Sequence, residues 1–288
     1  MKRREFLKTS AAAFAAQLAG GKVGAQSEHN EVKTVYVIAK CHMDLGFTDF
    51  ERGVIRTYFE DHIPAAIETA RKLQQANAEE RYVWTLASWM VYEYLEQASP
   101  QPRKNMEQAV NEGHIAWHAM PFTWQSEMLD RSLMDAAFGL SKALDRRFGI
   151  NTIAGKLTDV PGHTRGLVGP AVKAGIQFLD IGSNYKPPDV PPDPHLFNWR
   201  DPEGAQVTVL DHKLNYGGTA VIPGTAVAVS IIVRNDNTGP HPLAEIKAYY
   251  ADLRGQFPKA AIIATNLNAV ALAHLRRPPG SAGEAVGV

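Results

Sequence analysis

The sequence predicts an α/β domain built on a parallel sheet, and three observations carry that expectation. Short apolar runs of strand length alternate with longer segments of helical periodicity from Thr34 to Ala264. The first run, Thr34 to Cys41, is β-branched and almost continuously apolar, the pattern of a strand covered on both faces. The helical segments stop at glycines, Gly113, Gly149 and Gly175, residues that end helices without a Cβ penalty. The order alone leaves two architectures open, a barrel or a doubly wound layer.

Each element follows from its local pattern. After the first strand, Glu51 to Ala78 reads as helical, with Pro64 dividing it because proline cannot donate within a helix. Tyr82 to Leu86 is a strand, Met90 to Ala98 a helix with an aromatic face, Pro102 to Glu112 a helix, and His114 to His118 a short strand. Asp130 to Phe148 is the clearest amphipathic helix, stopped by Gly149. Ile153 to Thr158 is a strand, Gly166 to Ala174 a helix, and Gln177 to Ile181 a strand. Tyr185 to Pro194, with its repeated prolines, is a surface connection rather than a strand interior. Gln206 to Leu210 and Val227 to Val233 are strands, Pro242 to Gln256 a helix and Ala260 to Ala264 a last strand. Residues 276–288 have no periodicity and read as a disordered tail, so the expected domain runs over residues 33–275.

The totals exclude several classes of partner. Lys+Arg and Asp+Glu balance at 30 each over 288 residues, which leaves no basic field for nucleic acid. The hydrophobic fraction of 45% is that of a globular chain, and the single cysteine, Cys41, rules out an internal disulfide. Residues 1–25 have a basic head with Arg3 and Arg4, an Ala-rich middle and a small-residue end at Ala25. That arrangement reads as a twin-arginine signal peptide, with the mature chain expected in the periplasm or secreted. The Ala-rich stretch is too short and weakly apolar for stable membrane insertion.

Chemistry-bearing residues gather at strand ends. In a strand, residues two apart share a face, so His42 and Asp44 project together at the C-terminal end of the first strand. Parallel α/β folds assemble their sites at that end. One imidazole and one carboxylate suit a divalent metal such as zinc at roughly 2.0–2.2 Å, and a capping turn reads the same way. Asp159 ends another buried strand ahead of Pro161 and Gly162, as a third ligand on the same rim or as a turn residue. Asp236 follows a strand and precedes a helix, as a general acid in surroundings that raise its pKa or as a plain Asp-Asn turn. His114 and His118 read as rim or structural residues, and Asp211 with His212 as a pair without a partner motif.

The order His42-x-Asp44-x-Gly46-Phe47, then Asp159-x-x-Gly162-His163, resembles the catalytic domain of family 38 glycoside hydrolases, the retaining α-mannosidases. It is most similar to a bacterial branch in which HMDLGFTD is typical and phenylalanine replaces the usual tryptophan. The segments WTLASWMVYEYLEQ from Trp84, MPFTWQSEMLDRSLMDAAFGLSKALDRRFG from Met120 and GPAVKAGIQFLDIG from Gly169 extend the resemblance over Val35 to Leu275. The resemblance implies a seven-stranded α/β barrel, complete or incomplete, with zinc held by His42, Asp44 and Asp159. It implies Asp159 as the nucleophile and Asp236 as the acid, acting on a carbohydrate substrate through a covalent glycosyl-enzyme.

Members of that family are longer, and their fourth zinc ligand, a histidine, lies beyond the point that matches the end of this chain. The expectation is therefore a C-terminally truncated member whose isolated chain turns over α-mannosides weakly or not at all. Two other readings stand beside it. A polysaccharide deacetylase-like hydrolase would use the same zinc ligands with water as nucleophile, and a carbohydrate-binding remnant would keep the rim without turnover.

Overall fold

The computed structural model describes residues 32–182, 195–212, 216–222, 224–275 and 283–284. The expected signal peptide and the proline-rich connection Tyr185 to Pro194 lie outside the described residues. So does the tail, apart from Gly283–Glu284.

The chain opens with β1 (Thr34–Cys41), followed by α1 (Glu51–Thr57), a π-helical turn over Tyr58–His62, and α2 (Ile63–Gln75) with Pro64 in its first turn. The division expected at Pro64 thus falls in the turn just before it, because a proline fits the first turn of a helix where its missing N–H costs nothing. Next come β2 (Trp84–Ala87), α3 (Ser88–Gln97), α4 (Pro100–Asn111) and β3 (Ile115–His118). Helix α5 (Arg131–Phe148) starts where Asp130 accepts from the Leu133 amide at 2.8 Å and ends at Gly149 in the left-handed conformation, φ 66°. Both ends are written locally in the sequence.

The second half holds β4 (Ala154–Thr158), α6 (Val168–Lys173), β5 (Phe178–Gly182), β6 (His195–Arg200), β7 (Gln206–Asp211), β8 (Gly218–Val221) and β9 (Val227–Arg234). Helix α7 (Leu243–Gln256), β10 (Ala261–Ala264), α8 (Leu267–Leu275) and the two-residue β11 (Gly283–Glu284) complete it.

These strands form two mostly parallel sheets. The first has the order β3-β2-β1-β9-β8, with β10 also paired to the start of β1. The second has the order β11-β6-β7-β5-β4. Strand β6 runs antiparallel to β7, and β8 antiparallel to β9, so each sheet carries a reversed strand that sequence reading did not anticipate. The sheets approach each other where the Ala119 amide donates to the Ala154 carbonyl at 2.9 Å, between the end of β3 and the start of β4. Among the described residues the strands do not close into the expected seven-stranded barrel, and the margins away from the β3–β4 approach are β8 in one sheet and β11 in the other.

Alternation along β1 sorts its side chains into different cores. Val35, Val37, Ala39 and Cys41 pack against the helical layer of α1, α2, α3 and α7, through Tyr58, Ile67, Met90 and Tyr250. Ile38 faces the other way and joins residues from both sheets, including Phe178, Leu210 and Ile231, with Leu267, Val270 and Ala271 of α8. A third cluster packs α5 and α6 on the second sheet through Phe138, Leu157 and Val209. The space between the sheets is thus filled with apolar side chains at the end where α8 lies. Farther along β1, on the same face as Ile38, the chain places Lys40 and then His42.

Candidate active site

His42 leaves the end of β1 almost fully buried, at 2% exposure. Its Nδ1 is hydrogen-bonded to Thr158 Oγ1 at 2.9 Å, which leaves Nε2 facing two carboxylates. Nε2 lies 3.4 Å from Asp159 Oδ2 and 3.8 Å from Asp236 Oδ1. Burial, then the Lys40 ammonium, push the imidazole down to about 4, with Asp159 opposing. The ring is therefore neutral near pH 7, with a lone pair at one nitrogen.

Asp159 follows β4 in the left-handed region, φ 67°, a conformation that costs a non-glycine residue free energy and that aspartate tolerates better than most. Its amide donates to the Gly182 carbonyl at 3.1 Å, which ties it to the end of β5. Its Oδ1 accepts a hydrogen bond from the Tyr216 hydroxyl. The Tyr216 ring rests against His42, with centroids 4.7 Å apart. Burial first, then the bond to Asp159, push the tyrosine up, so the hydroxyl stays a donor.

Asp44 and Asp236 complete a cluster of like charges. Burial first, then the negative charge of Asp159, raise Asp44. The same two causes, followed by Asp44, raise Asp236. Mutual repulsion of this kind identifies acid groups poised to hold a proton or to gain a cation. The loops carrying them are fastened together. The Asn237 amide nitrogen donates to the His42 carbonyl at 2.9 Å, and the Cys41 thiol donates to the Asn235 carbonyl at 3.3 Å. In the loop after His42, Phe47 is 81% exposed and Phe50 85% exposed.

Beneath this rim lies a buried polar layer on the inner face of the sheets. Lys40 is in register with Thr85 of β2, and Lys156 of β4 with Asp180 of β5. Lys156 and Asp180 form an ion pair, and Asp180 Oδ2 is hydrogen-bonded to His212 Nε2 at 2.9 Å. Burial pulls Lys40 down to about 8, helped by the nearby Lys156. His118, also on this wall, is depressed well below its ordinary range by burial and then by both lysines. It is an interior residue and not part of the rim.

The structure therefore brings together His42, Asp44, Asp159 and Asp236, the four residues singled out from the sequence. It places His212 in the buried layer with Asp180, while His163 hydrogen-bonds to Ser126 Oγ at 3.3 Å. Sequence reading missed Tyr216, Thr158 and Asn237. Among the described residues no group of three or more His, Cys, Asp and Glu side chains is placed so as to hold a metal ion. In kind, the donors do fit a divalent cation. The His42 ring has its second nitrogen fixed by Thr158, as ligand histidines do, and the neighbouring carboxylates carry unbalanced negative charge.

Comparison with known proteins places the fold. Residues 32–258 match the family described as glycosyl hydrolases family 38 N-terminal domain. No curated protein matches the chain. An α-mannosidase from Enterococcus faecalis V583 is similar in structure, with TM-score 0.64 and 14% identity, over 88% of this chain and 30% of that one. A protein in glycosyl hydrolase family 38 from Enterococcus faecalis has TM-score 0.55 and 12% identity, over 86% and 28%. A 4-alpha-glucanotransferase from Thermococcus litoralis has TM-score 0.54 and 12% identity, over 85% and 39%. At such identities the likeness establishes the fold, and this chain spans well under half the length of each of these proteins.

Proposed function

We propose, from the premise that this chain belongs to the glycosyl hydrolases family 38 N-terminal domain family, that it is a zinc-dependent retaining glycoside hydrolase of the α-mannosidase type. Its substrates in this reading are α-mannosides or related glycosides. The observation that carries the reading is the convergence on His42, whose Nε2 lies within 3.8 Å of both Asp159 and Asp236.

His42, Asp44 and Asp159 are the residues that hold the metal in this reading. When bound, zinc supplies positive charge that grips sugar hydroxyls and orients the ring. The remaining chemistry belongs to the chain. Asp159 forms a bond to the anomeric carbon as the bond to the leaving oxygen breaks, and Asp236 gives that oxygen its proton. Asp236 then takes a proton from water, whose oxygen displaces Asp159 and frees its carboxylate. Two carboxylates that share one histidine nitrogen are compatible with the roughly 5–5.5 Å separation of a retaining pair. The raised Asp236 suits the acid role, since it keeps its proton to higher pH than an ordinary aspartate. Tyr216 donates to Asp159 Oδ1 and so helps fix the carboxylate that must attack. In the same reading the two sheets are the halves of a seven-stranded barrel, β9-β1-β2-β3 and β4-β5-β7. The hydrogen bond between Ala119 and Ala154 supports that join.

The test is metal content together with hydrolysis of an activated aryl α-mannoside. Wild type is expected to hold about one zinc, His42→Ala to lose it, and aryl release by this chain to be weak or absent, with any zinc-dependent release vanishing in Asp159→Asn. Equal zinc in wild type and His42→Ala, or aryl release untouched by Asp159→Asn, would contradict the assignment.

A further inference from the structure

Asn237 is hydrogen-bonded to the rim of the site through both its side chain and its main chain. Its Oδ1 accepts from the Asp44 amide at 3.1 Å. Its Nδ2 donates to the Asp44 carbonyl at 2.6 Å and to Thr48 Oγ1 at 2.7 Å. The side chain therefore takes up both backbone polar groups of Asp44, and both Nδ2 protons are committed. Its main chain is engaged as well, because its amide donates to the His42 carbonyl at 2.9 Å and its carbonyl is hydrogen-bonded to His62 Nε2 at 3.0 Å. The pairing joins segments 193 positions apart in the chain.

The residue type is specified twice over. At φ 51° the backbone is left-handed, which glycine and asparagine adopt most readily. Glycine would satisfy the backbone and lose the side-chain bonds. Aspartate would keep an acceptor for the Asp44 amide but set an oxygen, with no proton, against the Asp44 carbonyl. Asn237 also follows Asp236 directly, so whatever fixes Asn237 fixes the acid's own backbone.

We propose that Asn237 is a positioning residue that locks the backbone of Asp44 to the loop carrying Asp236, so that one side chain sets the metal-ligand loop and the acid in register. The inference rests on the reading of Asp44 as a ligand and Asp236 as the acid. Groups that orient ligands are typically worth a factor of 10–100 in metal affinity, and the lock acts at the ligand's own peptide units. Asp44 is otherwise on a loop that includes Gly46 at φ 110° and two exposed phenylalanines, a segment with little packing of its own.

The experiment uses the full chain and reads two quantities. Zinc affinity is measured by competition with a chromogenic chelator, and amide exchange of residues 43–50 by mass spectrometry in the absence of metal. Asn237→Gly and Asn237→Asp are each expected to weaken zinc by roughly 10–100-fold and to speed exchange of that segment. Thr238→Ala is the control for a merely structural effect. It removes the bond from Thr238 Oγ1 to the Asn235 carbonyl, at 2.8 Å in the same loop, without touching Asp44, and is expected to leave zinc affinity within about twofold. Asn237→Gly with wild-type affinity, or Thr238→Ala with an equal loss, overturns the proposal. If wild type and His42→Ala hold equal zinc, the metal reading fails by itself. Exchange then decides alone: acceleration in Asn237→Gly supports the lock, and unchanged exchange overturns it.

Discussion

Replacing Asp180 by asparagine removes one charge from a pair whose two side chains are both 0% exposed. Burial works against the Asp180 carboxylate, yet Lys156 and His212 outweigh it and hold the group at about 2. Without that charge, the Lys156 ammonium stays in the interior with no counter-ion, beside Lys40 on the same inner layer. Breaking a buried pair from one side typically costs about 3–5 kcal/mol. Whole domains have only about 5–15 kcal/mol. At about 2–4 °C per kcal/mol for a chain of this size class, Asp180→Asn is expected to lower the unfolding midpoint by roughly 10 °C. Urea unfolding followed by tryptophan fluorescence measures the loss, since four of the five tryptophans, Trp84, Trp117, Trp124 and Trp199, are buried in or beside the sheets. The double variant Lys156→Met with Asp180→Leu removes both charges and is expected to recover more than half of the loss. The reasoning is refuted if Asp180→Asn stays within about 1 kcal/mol of wild type, or if the double variant is less stable than the single one.

Acid sensitivity follows from three histidines outside the carboxylate cluster. Burial holds His163 at about 4, burial and then Arg234 hold His241 at about 3, and His118 lies well below its ordinary range. Below pH 6.5 the unfolded chain binds protons that the folded chain does not. Stability present above that pH is therefore lost as pH falls toward the folded values, at about 1.4 kcal/mol per pH unit for each histidine. Urea midpoints measured from pH 7 to pH 4.5 should fall throughout, and a flat profile would contradict the burial argument. Gly217→Ala is a local test of the segment that carries Tyr216. A Cβ there would run into the Ile231 carbonyl oxygen and the Val233 side chain, so a loss of about 1–3 kcal/mol is expected in the same urea assay.

Local signals made part of this fold legible. Strand β1 has the bounds its apolar run predicts, and α5 has the ends that Asp130 and Gly149 predict. The antiparallel strands were not legible. HLFNWR in β6 follows a run of prolines and alternates poorly, and GTAV in β8 is short and begins with glycine, so neither has the apolar sequence pattern of a strand. Helix α8 was missed because LNAVALAHL carries apolar residues on more than one face and so lacks an amphipathic period, although it buries only the face of Leu267, Val270, Ala271 and His274 and leaves Leu272 and Leu275 exposed.

At the site, residue type together with a strand-end position made His42, Asp44, Asp159 and Asp236 candidates, each with a turn or capping reading beside it, and the fold sets the four near one another. Tyr216 and Asn237 were invisible because their roles come from pairings 57 and 193 positions away in the chain, which no local spacing encodes. The seven-stranded barrel, complete or incomplete, implied by family resemblance met two antiparallel strands, β8 at an edge and β6 between β7 and β11. Their direction depends on pairing partners, and the apolar pattern of the parallel strands carries no information about them.

The most direct test of the account is covalent. A mechanism-based fluoroglycoside with α-manno configuration, incubated with the zinc-loaded chain, should trap the glycosyl-enzyme, because its fluorine slows the second half of the reaction more than the first. Peptide mass spectrometry is then expected to find one added glycosyl mass on the peptide containing Asp159, and none in Asp159→Asn. Label on another residue, or equal label in Asp159→Asn, would contradict Asp159 as the nucleophile.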